Sequence, residues 1–259
     1  MHLKFFRTKK KLEMKLSKLS KRSKDLRLKI IELSKSNSGY HYGGSFSCVE
    51  ILSSLYDHVM DSKSKFIMSK GHGCWGFYVL LKERGFRPLL EGHPKRDVKN
   101  GVEWTTGSEG HGFPAGVGIS LARKIKKTKG EIFVLIGDGE CQEGTTWESL
   151  LLGAQYNLDN LTVIIDFNKI QGSGFTKDIL SVDCIGEVAK AVGWKVSKIN
   201  GHDNKKIRST LKVKKNLPHL IIADTIKGKG VSFMENDPLW HANGINEELH
   251  GKIKKELSS

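Results

Sequence analysis

Two apolar segments end in residues that can grip a hydrated cation. Glu131–Ile136 runs into Gly137-Asp138-Gly139, and Leu161–Asp166 runs into Phe167-Asn168-Lys169-Ile170. If both segments are parallel strands, Asp138 and Asn168 fall at the same edge of neighbouring strands. One carboxylate and one amide oxygen make a sparse oxygen site, which suits Mg²⁺ when a phosphate of a substrate or cofactor fills the remaining octahedral positions; an all-protein calcium cage takes more carboxylates. The glycines let backbone approach a ligand closely, and the Gly139 N–H adds an anion donor. Alone, the tripeptide is weak, because Asp-Gly is also a common turn. A Rossmann nucleotide site competes with this reading. However, Gly137-Asp-Gly-Glu-Cys-Gln142 lacks the third glycine, and no Gly-Lys-Ser/Thr occurs.

A second group of residues could move protons. Of ten histidines, His41, His72, His93 and His241 each fall in a glycine-rich loop, in an irregular segment or near a strand end. Imidazole exchanges protons near neutral pH, as chemistry on hydroxyls and carbanion equivalents requires. Any one such histidine is more often a hydrogen-bonded loop residue, so the weight lies in the set. His2, His58, His111, His202, His219 and His250 are left as structural or unassigned. Asp166 reads as a strand-end cap, and Lys227 and Lys229 as solvated loop charges.

The elements that must position these groups follow from periodicity. Strands are expected at 65–68, 131–136, 161–166, 194–199 and 219–224. Helices are expected at Lys11 to Leu33, Cys48 to His58, from Gly73 to about Arg84, at 112–127, 145–157, 182–192 and 203–211. The stretch 36–45 reads as turn-rich and 86–111 as a long irregular, functional loop. Strands alternating with helices give an α/β, doubly wound parallel sheet whose ligands sit at the carboxyl ends of the strands. Two regions are expected, a basic N-terminal arm at 1–14 and one ligand-binding domain at 15–259.

The net charge of +15 is uneven. Residues 1–30 hold twelve Lys/Arg against Glu13 and Asp25, so the body is nearly ordinary. The arm reads as a solvated basic segment, and neither a nucleic-acid nor a membrane partner is expected. Apolar runs are too short to span a bilayer. Cys48, Cys74, Cys141 and Cys184 make no Cys-x-x-Cys pair and no zinc spacing, which reads as reduced thiols in a cytoplasmic protein.

Gly137-Asp-Gly-Glu-Cys-Gln-Glu-Gly144, Trp147-Glu148 and Leu158–Gln171 resemble the thiamine-diphosphate-binding part of transketolases. Ser38–Ser45, Met68-Ser-Lys-Gly-His72, Gly92-His-Pro94, Thr105-Thr-Gly-Ser108, Asn200-Gly-His-Asp203, Thr225–Glu235 and Trp240-His241 agree in order. The resemblance covers about 15–245. It implies a thiamine diphosphate cofactor with Mg²⁺ or Ca²⁺, and two-carbon ketol transfer between sugar phosphates. It implies Asp138, Asn168 and the Ile170 carbonyl as metal ligands. Gly107, Gly137, Gly139 and Glu148 would be cofactor contacts, with Gly107 against the aminopyrimidine. His41, His72, His93, His241 and Glu143 would be the catalytic set. Glu143 and Glu148 would lie at a subunit interface.

The chain resembles the shorter member of two-gene transketolases. A partner subunit carrying the pyrimidine-binding domain, in an α2β2 heterotetramer, is therefore expected. Gly112, Gly116 and Gly118 would suit close packing at that interface. Two departures concern the substrate. Glu109-Gly-His-Gly112 stands where the family usually has Leu-Gly-Gln-Gly. Tyr40 stands where the family has Gly before the histidine, and it cannot take a positive φ as easily. Two alternatives stay open. One is another thiamine-diphosphate enzyme, either a 2-oxo-acid dehydrogenase α subunit or a deoxyxylulose-phosphate synthase-like protein. The other is a non-catalytic basic binding protein.

Overall fold

A computed structural model describes residues 19–35, 40–214 and 216–258. The basic arm at 1–14 and the expected start of the first helix lie outside the described residues. In chain order the helices are α1 (Lys21–Lys35), α2 (Tyr42–Ser47), α3 (Val49–His58), α4 (Trp75–Glu83), α5 (Gly112–Ile125), α6 (Gly144–Gln155), α7 (Thr176–Ile179), α8 (Ile185–Ala191), α9 (Asn204–Leu211) and α10 (Glu247–Ser258). The strands are β1 (Lys65–Met68), β2 (Ile132–Gly137), β3 (Leu161–Phe167), a small hairpin β4 (Ile170–Gln171) and β5 (Gly174–Phe175), β6 (Lys195–Asn200) and β7 (His219–Asp224).

Five strands form one parallel sheet in the order β1-β2-β3-β7-β6. Side chains alternate between its faces with period two. Phe133, Leu135, Ile164 and Ile221 pack into a core with α1, α2, α3, α4, α9 and α10. Val134, Ile136, Val163, Ile165, Leu220 and Ile222 pack into a second core under α5, α6 and α8. Burial on both faces explains why β2 and β3 read as continuous apolar runs. The sheet is thus doubly wound, as expected. The register pairs Gly137 with Asp166 and Phe167 with Asp224, which aligns the carboxyl ends of β2, β3 and β7 at one edge.

Two expectations are corrected. The turn-rich stretch contains a helix, α2, which His41 enters with φ 62° and ψ 35°. His41, not Tyr40, takes the left-handed conformation. The glycines hide α2 from a sequence reading, yet they are what lets it dock. A Cβ at Gly43 would stand 2.6 Å from the Trp240 carbonyl, and one at Gly44 would stand 2.8 Å from the His72 ring. The glycines of α5 do not form an outward packing face either. A Cβ at Gly112 would meet Ser69 at 2.3 Å and one at Gly116 would meet Val134 at 2.4 Å, so both serve close packing on the chain's own sheet, while Gly118 faces open space.

Candidate functional site

The carboxyl edge of the sheet is organised by one buried ion pair. β1 runs into Ser69-Lys70, and the Lys70 ammonium pairs with Asp166 at the end of β3, both fully buried. Lys70 Nζ also donates to the Gly44 carbonyl at 2.9 Å. Asp166 accepts from the hydroxyls of Ser47 and Thr225. Burial alone would push the Asp166 carboxyl up, but Lys70 and these donors hold it below its ordinary value. Asp166 is therefore the counter-ion of Lys70 and a brace for its neighbour, not a simple strand-end cap. The Asn168 side-chain amide donates to Asp166 at 3.2 Å, and its oxygen accepts from the Ile170 N–H at 3.1 Å.

Asp138 is a buried carboxylate held only by neutral donors. It accepts from the Gly139 N–H at 3.0 Å, the Lys169 N–H at 2.5 Å and the Thr176 hydroxyl at 3.2 Å. Burial, then repulsion from Asp166, raises its carboxyl to about 6. A cation beside it would reverse that logic. The Gly139 N–H, expected to face an anion, is engaged by this carboxylate.

Lys227 and Lys229 are corrected from solvated to buried. Lys227 Nζ donates to the Ile170 carbonyl at 2.9 Å and lies 2.9 Å from His241 Nδ1. Burial and the charge of Lys70 push its ammonium down to about 8. Lys229 pairs with Glu235 at 3.2 Å.

The four selected histidines come together beside these lysines. Ring centroids lie 5.7 Å apart for His41 and His72, 5.9 Å for His41 and His93, 5.2 Å for His41 and His241, and 5.1 Å for His72 and His241. Burial lowers all four pKa values, His72 well below its ordinary value and His241 to about 3. Lys70 and Lys227 add to the effect at His41, His72 and His241. The lowered values favour the neutral rings, which keep a lone pair on one nitrogen but are weaker bases than free imidazole.

Gly107, at φ 144°, runs against His93: a Cβ there would meet that ring at 3.1 Å. Glu143 and Glu148 lie outside the cluster and are exposed. Glu140 was not picked out from the sequence. It is buried, accepts from Ser69 Oγ and from the N–H groups of Gly110 at 3.1 Å and Gly137 at 3.3 Å, and is pushed up to about 7 by burial. Lys70, Lys227 and Glu140 each lie within three residues of a strand's carboxyl end. The rule that selected Asp138 could have selected them too.

The chemistry of the donor set fits a divalent ion bridged to an anionic group. Asp138, Asn168 and the Ile170 carbonyl gather at two strand ends, and an ammonium already sits on that carbonyl. Among the described residues no three His, Cys, Asp or Glu side chains could hold a metal by themselves, so a bound ion would need oxygens from outside the protein. An α/β sheet that gathers oxygen donors, buried lysines and histidines at its carboxyl edge has the chemistry to anchor a phosphate-bearing cofactor.

The comparisons agree with this class. Residues 25–258 match the model of the transketolase, thiamine diphosphate binding domain family. The chain is 42% identical to one of the subunits of the apulose-4-phosphate transketolase of Actinobacillus succinogenes, over 86% of this chain and 90% of that protein. It is 33% identical to the SqwG subunit of the 6-deoxy-6-sulfo-D-fructose transketolase of a Clostridium species, over 89% and 92%. The transketolase structure from Campylobacter jejuni superposes with a TM-score of 0.81 at 28% identity, covering 92% of this chain and 42% of that one. The chain therefore belongs to the transketolase family, as its thiamine-diphosphate-binding part, and the family reaction is two-carbon ketol transfer. It spans about two fifths of the solved transketolase and nearly all of the two subunit relatives. Among the described residues no helix is long and apolar enough to cross a membrane, and all four cysteines are free.

Proposed function

We propose that this chain is the metal- and diphosphate-anchoring subunit of a two-subunit transketolase that moves a two-carbon ketol unit between sugar phosphates. The observation that carries the reading is the convergence of Asp138, Asn168, the Ile170 carbonyl, Lys227 and four neutral histidines at one sheet edge. That edge belongs to a chain matching 90% and 92% of two proteins named as subunits of transketolases. Asp138, Asn168 and Ile170 would hold Mg²⁺, and Lys227 would turn from the Ile170 carbonyl toward the phosphates. Thiamine diphosphate, when bound, supplies the carbanion stabilisation.

The chain's own part is positioning and proton traffic. His41, His72, His93 and His241, neutral and about 5–6 Å apart, accept and return protons of sugar hydroxyls. Gly107 keeps the loop beside His93 close to the cofactor ring. Glu143 and Glu148, exposed in this chain, would be covered by a partner subunit carrying the pyrimidine-binding domain, in an α2β2 assembly. The relatives named for apulose 4-phosphate and 6-deoxy-6-sulfofructose support a ketose donor rather than a 2-oxo acid.

The test mixes the purified chain with its partner and offers ketose phosphates and pyruvate as donors. Ketol transfer is expected only from the ketose, only in the mixture, and is lost in Glu143→Ala. Robust turnover by this chain alone, or use of pyruvate, overturns the reading.

A further inference from the structure

Glu109 is a carboxylate placed beside His72, at a position where the family commonly carries an apolar residue. The loop that bears it is fixed on both sides. Gly107 packs on the His93 ring. Gly110, at φ 80°, donates its N–H to Glu140 at 3.1 Å and its carbonyl accepts from the Thr145 hydroxyl at 2.7 Å, and a Cβ there would stand 2.6 Å from Thr145 and 2.8 Å from Glu143. These anchors fix the backbone on either side of Glu109. It lies 3.6 Å from His72 Nδ1, with side-chain exposures of 35% and 13%. That distance is longer than a direct hydrogen bond, so beside a neutral ring the carboxylate acts on the N–H through its charge. The opposite edge of the His72 ring, Cδ2 and Nε2, lies over Gly44.

We infer that Glu109 is a positioning residue for His72, fixing the imidazole as the Nδ1–H tautomer and leaving Nε2 with its lone pair. A neutral imidazole carries one N–H, and the partner of one nitrogen decides which nitrogen bears it. His72 is surrounded by Lys70, Lys227, His41 and His241 and is kept neutral by burial and those charges. A carboxylate near Nδ1 then favours the proton on that side. Leucine at 109 would offer no charge. Glu109 itself is pushed upward by burial, with Lys70 and Lys227 opposing and Glu143 adding to the shift.

This inference rests on the transketolase reading only for its consequence, not for its measurement. The full chain with ¹⁵N-labelled histidine, in complex with its partner, is examined by long-range ¹H–¹⁵N correlation at pH 8, the His72 signals being assigned by their loss in His72→Gln. Nδ1–H is expected to dominate in the wild type and to give way to Nε2–H in Glu109→Leu. A wild-type spectrum dominated by Nε2–H overturns the assignment without any variant, and so does an unchanged tautomer in Glu109→Leu. In steady-state assays Glu109→Leu should lower kcat about tenfold with KM for the ketose donor changed less than about threefold. Absence of ketol transfer in the wild type, with the tautomer as stated, would count against the function and leave this assignment standing.

Discussion

At the scale of single residues, the site depends on a buried carboxylate that accepts only from neutral donors. Asp138 is buried among neutral donors and repelled by Asp166. Two phosphates brought to this edge would repel it further unless a metal intervened. Asp138→Ala and Asn168→Ala should therefore each weaken thiamine diphosphate binding in the assembled enzyme by well over tenfold, a loss above about 1.4 kcal/mol. Calorimetry in Mg²⁺, repeated after chelation, measures this, and unchanged affinity in either variant would remove these residues from the metal site. Asp138 and Asn168 were legible because each directly follows an apolar run that could only be a buried strand. Lys227 was not, because Ile226-Lys-Gly-Lys-Gly230 looks like an exposed basic turn. Its place three residues after β7 was a usable signal, but its bond to the Ile170 carbonyl, 57 residues away, was not.

At the scale of elements, three segments meet on Glu140. The Ser69 loop, the 107–110 loop and the end of β2 all donate to its carboxylate. Its folded-state pKa of about 7 stands above the ordinary 4.5. Between those values the folded chain holds a proton that the unfolded chain has released. Glu140 therefore loses stabilising effect as pH rises from about 4.5 to 7, and the loss is complete above that window. The histidines act in the opposite sense, since their lowered values add stability as pH rises toward 6.5. Comparison with Glu140→Gln cancels them. The stability of the variant relative to wild type should rise from pH 5 to pH 8 by on the order of 3 kcal/mol at most. Urea unfolding at the two pH values measures it, and a difference independent of pH would show that Glu140 is ionised throughout.

A second buried network also joins elements. Arg27 of α1 pairs with Glu50 of α3 at 2.7 Å, Glu50 meets His202 Nδ1 at 2.9 Å, and His202 Nε2 accepts from the Ile226 N–H at 2.9 Å. His202 is thus held as the Nδ1–H tautomer and braces the segment that carries Lys227. Glu50→Ala would leave a buried guanidinium unpaired and should cost about 3–5 kcal/mol, measured by thermal unfolding. A loss under about 1 kcal/mol would mean that water replaces the pair.

At the scale of the molecule, the strand and helix order was readable because burial on both sheet faces writes long apolar runs, and short turns separate them. The contacts between distant loops were not readable, nor is the surface that a partner covers. α6 shows how such a surface can be located. Thr146, Ser149, Leu150 and Gly153 face the core, and a Cβ at Gly153 would stand 2.4 Å from the Trp194 ring. The outer face carries Glu148, Leu151 at 57% exposure and Leu152 at 47%, with Tyr156 just beyond at 47%. Leu151 and Leu152 are about half exposed and outside the buried core of α6, so Leu151→Asp with Leu152→Asp should lower its unfolding free energy by no more than about 2 kcal/mol, mostly as lost helix propensity and partial burial. If a partner subunit covers this face, the same pair of charges must be desolvated on association. The double variant should then weaken assembly more than tenfold, above about 1.4 kcal/mol. Sedimentation velocity of the mixed subunits, with circular dichroism of the variant alone as the control on folding, decides between the two. Undiminished association would place the partner elsewhere and leave Glu143 and Glu148 as exposed residues facing solvent.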